Sequence, residues 1–143
     1  MTARILEVCT SETTGVQKKP VKSVEVIEGY GLAQDAHGGD WHRQVSLLAN
    51  ESAELMRRKG ADVGPGDFGE NILTEGIDLT ALSPGTRIVL GEVELEVTQI
   101  GKECHTKCAI YDAAGTCVMP TQGIFCRVVK GGVLSSGIAI EPH

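Results

Sequence analysis

With 143 residues, 41% hydrophobic and 22% charged, the chain has the size and balance of one soluble globular domain. A net charge of −6 speaks against general nucleic-acid binding, and one Trp, two Tyr and two Phe are too few for a base-stacking platform. No run approaches the ~20 apolar residues of a membrane helix, and Met1-Thr2-Ala3-Arg4 does not lead into a secretory h-region, so a cytoplasmic protein with reduced thiols is expected.

In chain order, Ile5 to Cys9 reads as a first strand and Val21 to Ile27 as a second, half-exposed one, with Val24 and Val26 alternating against Ser23 and Glu25. Gly29 to Arg43 is a long, glycine-rich polar loop, a kind of segment that usually carries function in a compact domain. Val45 to Leu48 is a short apolar strand. Asn50 is then a good N-cap for a helix, with early glutamates at its positive end, Arg57, Arg58 and Lys59 at its close and Gly60 as the stop. Pro65-Gly66 marks a turn before a strand entered through Phe68-Gly69-Glu70-Asn71-Ile72. Arg87–Leu90 and Val93–Ile100, joined by Gly91-Glu92, form a hairpin. Ala109 to Asp112 reads as a short helix or turn, Ile124 to Val129 as a strand, and Ile138 to Ile140 as a last short strand. Glycine, 18 of 143 residues, is roughly 13% against a typical ~7%, which fits many tight turns. The fold expected is mainly β, a barrel or sandwich of short strands with one or two short helices.

Chemistry concentrates where the Val93–Ile100 strand ends. Gly101-Lys102-Glu103-Cys104-His105-Thr106-Lys107-Cys108 sets a cysteine among basic neighbours, and nearby positive charge favours the thiolate, the form that attacks, carries sulfur or binds metal. The alternative, a buried packing cysteine, fits poorly beside so many charged residues. The polar loop adds Asp35, His37, His42 and Arg43, which offer acid/base groups, anion binding or metal ligands, and Gly38-Gly39 would let a ligand approach the backbone. A zinc site from Cys104, His105 and Cys108 with Cys117, Cys126 or His37 is a weaker reading, because the second half of a zinc motif is missing and adjacent extended residues point apart. Cys9 is expected in the core. Glu70 and Asn71 either bond a heterocycle or serve strand-entry turn chemistry.

The segments Gly31 to Leu48, Gly66 to Leu79, Leu82 to Arg87, Leu95 to Cys108 and Val118 to Gly132, in this order and spacing, resemble the MOSC domain family, the C-terminal domain of molybdenum cofactor sulfurases. The resemblance covers nearly the whole chain and implies a single MOSC domain over residues 1–143 with a mainly β, barrel-like fold. It maps the family's hallmark cysteine onto Cys104, which in sulfurases is thought to carry sulfane sulfur as a persulfide. By the same resemblance Asp35, His37, His42, Arg43, Glu70, Asn71, Lys102 and Arg127 line the molybdopterin region. Cys126 stands where the pattern has a small residue.

Three functions follow from the resemblance, in this order. The first is a sulfur carrier in molybdenum-cofactor metabolism. In it Cys104 is the persulfide-forming thiolate, Lys102 and His105 steady the anion, Arg43 and Lys102 grip the cofactor phosphate, and His37 or His42 moves protons. The sulfur would come from a cysteine desulfurase or another donor and pass to cofactor-biosynthesis proteins or a molybdoenzyme. The second is an oxidoreductase module in which Cys104 ligates molybdenum. The third is a non-enzymatic cofactor-binding module. A pyridoxal-phosphate site is not expected, and neither nucleic acid nor membrane is an expected partner.

Overall fold

Alternation of apolar and polar residues builds the sheet. In β8 (Val93–Ile100), Val93, Leu95 and Val97 are buried while Glu94 and Glu96 lie half-buried on the opposite face. The computed structural model describes residues 3–13, 17–58, 60, 64–101 and 123–142. Its other strands are β1 (Arg4–Thr10), β2 (Lys19–Val21), β3 (Ser23–Ile27), β4 (Gly31–Leu32), β5 (Val45–Ala49), β6 (Ile72–Glu75), β7 (Arg87–Leu90), β9 (Ile124–Lys130), β10 (Gly132–Ser135) and β11 (Ile140–Pro142). One α-helix, α1 (Asn50–Arg58), and one short 3-10 helix (Leu79–Ala81) lie among the described residues, and no helix there is long and apolar enough to cross a membrane.

Eight strands form one sheet in the order β11-β7-β8-β9-β5-β6-β1-β2, and β10-β3-β4 form a second, smaller one. The large sheet curls until its two ends meet. The first half of β1 bonds to the run before β11, with Ile5 N–H donating to the Ile138 carbonyl (2.9 Å) and Ile140 N–H to that of Ala3 (2.9 Å). The second half of β1 pairs instead with β2, Val8 opposite Val21. Ile5, Val45, Leu47, Ile88, Leu95, Val97, Ile124 and Cys126 fill the interior, and Val26, Leu32 and Leu134 join them from the small sheet. The barrel expectation is met.

The hairpin is as expected: Leu90 faces Val93, and Gly91 supplies the positive φ (63°) that the first central position of a II′ turn needs. The helix ends as expected too, with Gly60 at φ 102° donating its N–H to the Arg57 carbonyl (3.0 Å). Asn50, expected as the cap, is instead the first helical residue, and its side-chain oxygen accepts from Arg57 (3.0 Å). The helix links the parallel neighbours β5 and β6, a pairing that requires such a crossover.

Several expectations change. The last strand, expected over 138–140, is β11 (Ile140–Pro142), and β10 (Gly132–Ser135) is a strand the alternation does not predict. The single strand expected over 21–27 is two strands in different sheets, divided at a bend on Lys22. Its apolar alternation records burial, and burial does not say which neighbour supplies the hydrogen bonds. The polar loop also contains β4, where Leu32 is fully buried and pairs with Val26.

Candidate functional site

The loop from Ala33 to Gln44 is anchored from below by a buried ion pair. Lys18 Nζ lies 2.8 Å from Asp35 Oδ1, and both side chains are sealed from solvent, at 1% and 0% exposure. Asp35 also accepts from the backbone N–H of Ser11 (3.0 Å) and of His37 (3.1 Å). Burial alone would raise its carboxyl, but contacts with His37 and Lys18, the Lys18 charge and the Ser11 N–H outweigh it and hold the group well below the ordinary carboxylate range. Gln34, just before it, sits at φ 62°, a left-handed conformation that non-glycine residues rarely adopt. Lys18 itself enters against the 64–71 turn. Its N–H donates to the Gly66 carbonyl (2.8 Å), and a Cβ on Gly66 (φ 84°) would lie 2.1 Å from the Lys18 oxygen, so only glycine fits there.

Above Asp35 the loop gathers its polar side chains around Trp41. The Trp41 ring is parallel to that of His37, with centroids 6.3 Å apart, and meets His42 edge-on at 6.1 Å. The Arg43 guanidinium lies 4.7 Å from the Trp41 centroid and 5.5 Å from that of Phe125, within cation–π range of both. Trp41 Nε1–H donates to the His37 carbonyl (2.7 Å), which closes the turn. Of the two glycines expected to admit a ligand, Gly38 serves packing instead, since the Tyr30 ring fills the space where its side chain would be. Two nitrogens stand out: Arg43 Nε and His37 Nδ1 are buried and have no hydrogen-bond partner among the described residues. His37 Nδ1 is 3.7 Å from Asp35 Oδ2, too long for a hydrogen bond.

The loop lies against β8 and β9. Thr98 Oγ1 donates to the His42 carbonyl, Gln99 Oε1 is 2.7 Å from His42 Nε2, and Gln44 Oε1 accepts from Val128 N–H (2.8 Å). Gln99 also donates to the Gly101 carbonyl (2.7 Å), and Gly101 N–H bonds the Gly123 carbonyl (2.6 Å). The ends of the segment that carries Cys104 are thereby joined beside His42.

Glu70 and Asn71 belong to a second buried network, which meets the first where Gly66 bonds Lys18. Asn71 Oδ1 accepts from Ser46 N–H (3.0 Å) and Oγ (3.1 Å), and its Nδ2 donates to the Cys9 carbonyl (3.1 Å), tying β5 to β1. Glu70 is 1% exposed, with Oε2 accepting from Gly66 N–H (2.9 Å) and Oε1 lacking a partner among the described residues. Burial pushes its carboxyl up to about 7, against the pull of backbone N–H groups in its own turn and aided by the charge of Asp67. Glu70 thus bonds within its own turn, and Asn71 bonds across strands.

Arg127 lies about half exposed on the outer face of β9, paired with Glu96, which Arg87 also approaches (3.5 Å). Exposed pairs contribute little, so Arg127→Ala is expected to change unfolding free energy by less than about 1 kcal/mol in urea titration. Any loss of ligand binding or sulfur loading in that variant then reports on the ligand. Cys9 and Cys126 are fully buried, and burial raises both thiols, helped by Glu70 at Cys9 and Glu96 at Cys126. Both therefore stay protonated as packing residues.

Asp35, His37, His42 and Arg43 are thus brought together; Glu70 reaches Asp35 only through Gly66 and Lys18, and no direct described contact joins Asn71 or Arg127 to them. Lys102, Cys104, His105, Cys108 and Cys117, with the short helix or turn expected at 109–112, lie outside the described residues. No group of three His, Cys, Asp or Glu among the described residues is placed to hold a metal ion. Residue patterns alone miss Lys18, Trp41 and Gln99. The lone Trp in a glycine-rich polar loop is the one signal that points to any of them.

A family model of the MOSC domain matches residues 33–141. Among solved structures, YuaD protein from Bacillus subtilis superimposes with a TM-score of 0.81 at 22% identity, covering 100% of this chain and 96% of that one. YiiM from Geobacillus stearothermophilus gives 0.74 at 20% identity (99% and 75% covered), and YiiM from Escherichia coli 0.71 at 19% (98% and 69%). These are likenesses of fold. No curated protein matches the sequence.

Proposed function

This chain belongs to the MOSC domain family, and on that premise we propose that it is a sulfur carrier of molybdenum-cofactor metabolism with Cys104 as the carrying thiolate. MOSC domains are associated with molybdenum-cofactor sulfurases and related binding proteins. The observation that carries the reading is the Gly101–Gly123 hydrogen bond, which joins the ends of the Cys104 segment next to the His42–Gln99 contact.

The loading step is an exchange. The Cys104 thiolate attacks the outer sulfur of a donor persulfide, as on a cysteine desulfurase, so that a new S–S bond forms at Cys104. The donor's S–S bond breaks, the donor leaves as a thiolate, and the two cysteines exchange oxidation state with no outside oxidant. Lys102 and His105, which flank Cys104 in sequence, favour its anion.

The loop residues suit an anionic, flat ligand such as a phosphorylated pterin. Arg43 Nε is a buried N–H donor without a partner among the described residues, and a phosphate oxygen fits that need. Its guanidinium is held by Trp41 and Phe125, which limits the ordering cost on binding. Bound molybdopterin would supply the metal–sulfur chemistry; the chain's part is to grip the anion and to present sulfur.

Incubation with a cysteine desulfurase and cysteine is expected to add about 32 Da, one sulfur atom, to Cys104 by intact-mass and peptide spectrometry, and Cys104→Ala to abolish it. No adduct on the native protein, or an adduct that persists in the variant, refutes the carrier role.

A further inference from the structure

The geometry points to Gln99 as a positioning residue that holds His42 in one tautomer and leaves Nδ1 as the ring's acceptor. A side-chain amide has one donating and one accepting end. Gln99 faces the Gly101 carbonyl at 2.7 Å, and a carbonyl only accepts, so the amide nitrogen must lie there. The amide oxygen is then committed to His42 Nε2, also at 2.7 Å. Since that oxygen only accepts, Nε2 must carry the proton. A neutral imidazole has a single N–H, so the lone pair sits on Nδ1, which has no hydrogen-bond partner among the described residues.

The backbone of β8 is shaped for this contact. In a regular strand consecutive side chains point to opposite faces, yet Thr98 and Gln99 both reach His42. The pairing register between β8 and β9 shifts between Val97 and Gln99, and such a bulge is what re-aims one side chain. His42 is thus gripped at its carbonyl by Thr98 and at its ring by Gln99, with Trp41 edge-on.

The consequence is a division of roles within adjacent residues. Arg43 offers N–H donors to an anion. His42, when neutral, offers a lone pair at Nδ1 to an N–H, O–H or S–H donor of whatever docks above it. What docks there rests on the carrier reading; the tautomer does not.

The test is long-range proton–nitrogen correlation on nitrogen-15-labelled protein near pH 8, with His42 assigned by loss of its signals in His42→Gln. The native protein is expected to show a slowly exchanging Nε2–H and an unprotonated Nδ1. Gln99→Met should speed exchange of that proton by about fivefold or more. A proton on Nδ1 in the native protein, or unchanged exchange in Gln99→Met, overturns the assignment. The measurement needs no sulfur donor, so failure of Cys104 loading with the nitrogen pattern intact refutes the carrier reading alone.

Discussion

Lys18→Met is expected to lower the unfolding free energy by about 3–5 kcal/mol in urea titration. The size follows from what remains: Asp35 has a fully buried side chain, and without the Lys18 ammonium its charge has no ionic partner among the described residues apart from a protonated His37. Adding Asp35→Asn removes the stranded charge and should recover a large part of the loss, because replacing both members of a buried pair costs less than deleting one. A single-variant loss under about 1 kcal/mol would show that the pair does not anchor the loop. The pair's dependence on acid has a definite sign. Asp35 is held below its ordinary value of 3.8, so its contribution is complete above that pH and is lost as pH falls toward the native value.

Glu70 gives the opposite slope. Its native carboxyl titrates at about 7 against an ordinary 4.5, so the native state keeps a proton that the unfolded chain has already released. That favours folding below pH 4.5 and is lost as pH rises through 7, a fall of about 3 kcal/mol at roughly 1.4 kcal/mol per pH unit. Glu70→Gln preserves an acceptor for the Gly66 N–H and cannot ionise. Urea titrations of the two proteins should differ by a constant amount below pH 4.5. By pH 8 that difference should have moved by about 3 kcal/mol in the variant's favour. Parallel curves across this range would mean that Glu70 is not buried as described.

The legibility of these features differs for physical reasons. Alternation identifies β8 and the hairpin, because one face of the ladder is buried and the other is not. Helix limits are legible through Arg57, Arg58 and Gly60, which act through local electrostatics and a left-handed stop. The loop chemistry of Asp35, His37, His42 and Arg43 is legible as composition, and the gathering of His37, His42 and Arg43 around Trp41 is not. Lys18 reads as one more solvated lysine before Lys19-Pro20, since its partner is 17 residues away and burial leaves no local mark. Gln99 is hidden by the alternation itself, which predicts the wrong face where the register shifts. Glu70 and Asn71 stand out by type, but their bonds to Gly66, Ser46 and Cys9 depend on three separate elements meeting.

The outer edge of β1 is shared between two different neighbours, Ile138 and Ile140 at its start and Lys19–Val21 at its end. A passing chain therefore finds no continuous row of unpaired amides along that strand, and Pro20 removes a donor from the flap that covers the second half. Fibre growth by strand addition starts from such rows. This chain can thus be concentrated with its β1 rim offering no seed for polymerisation.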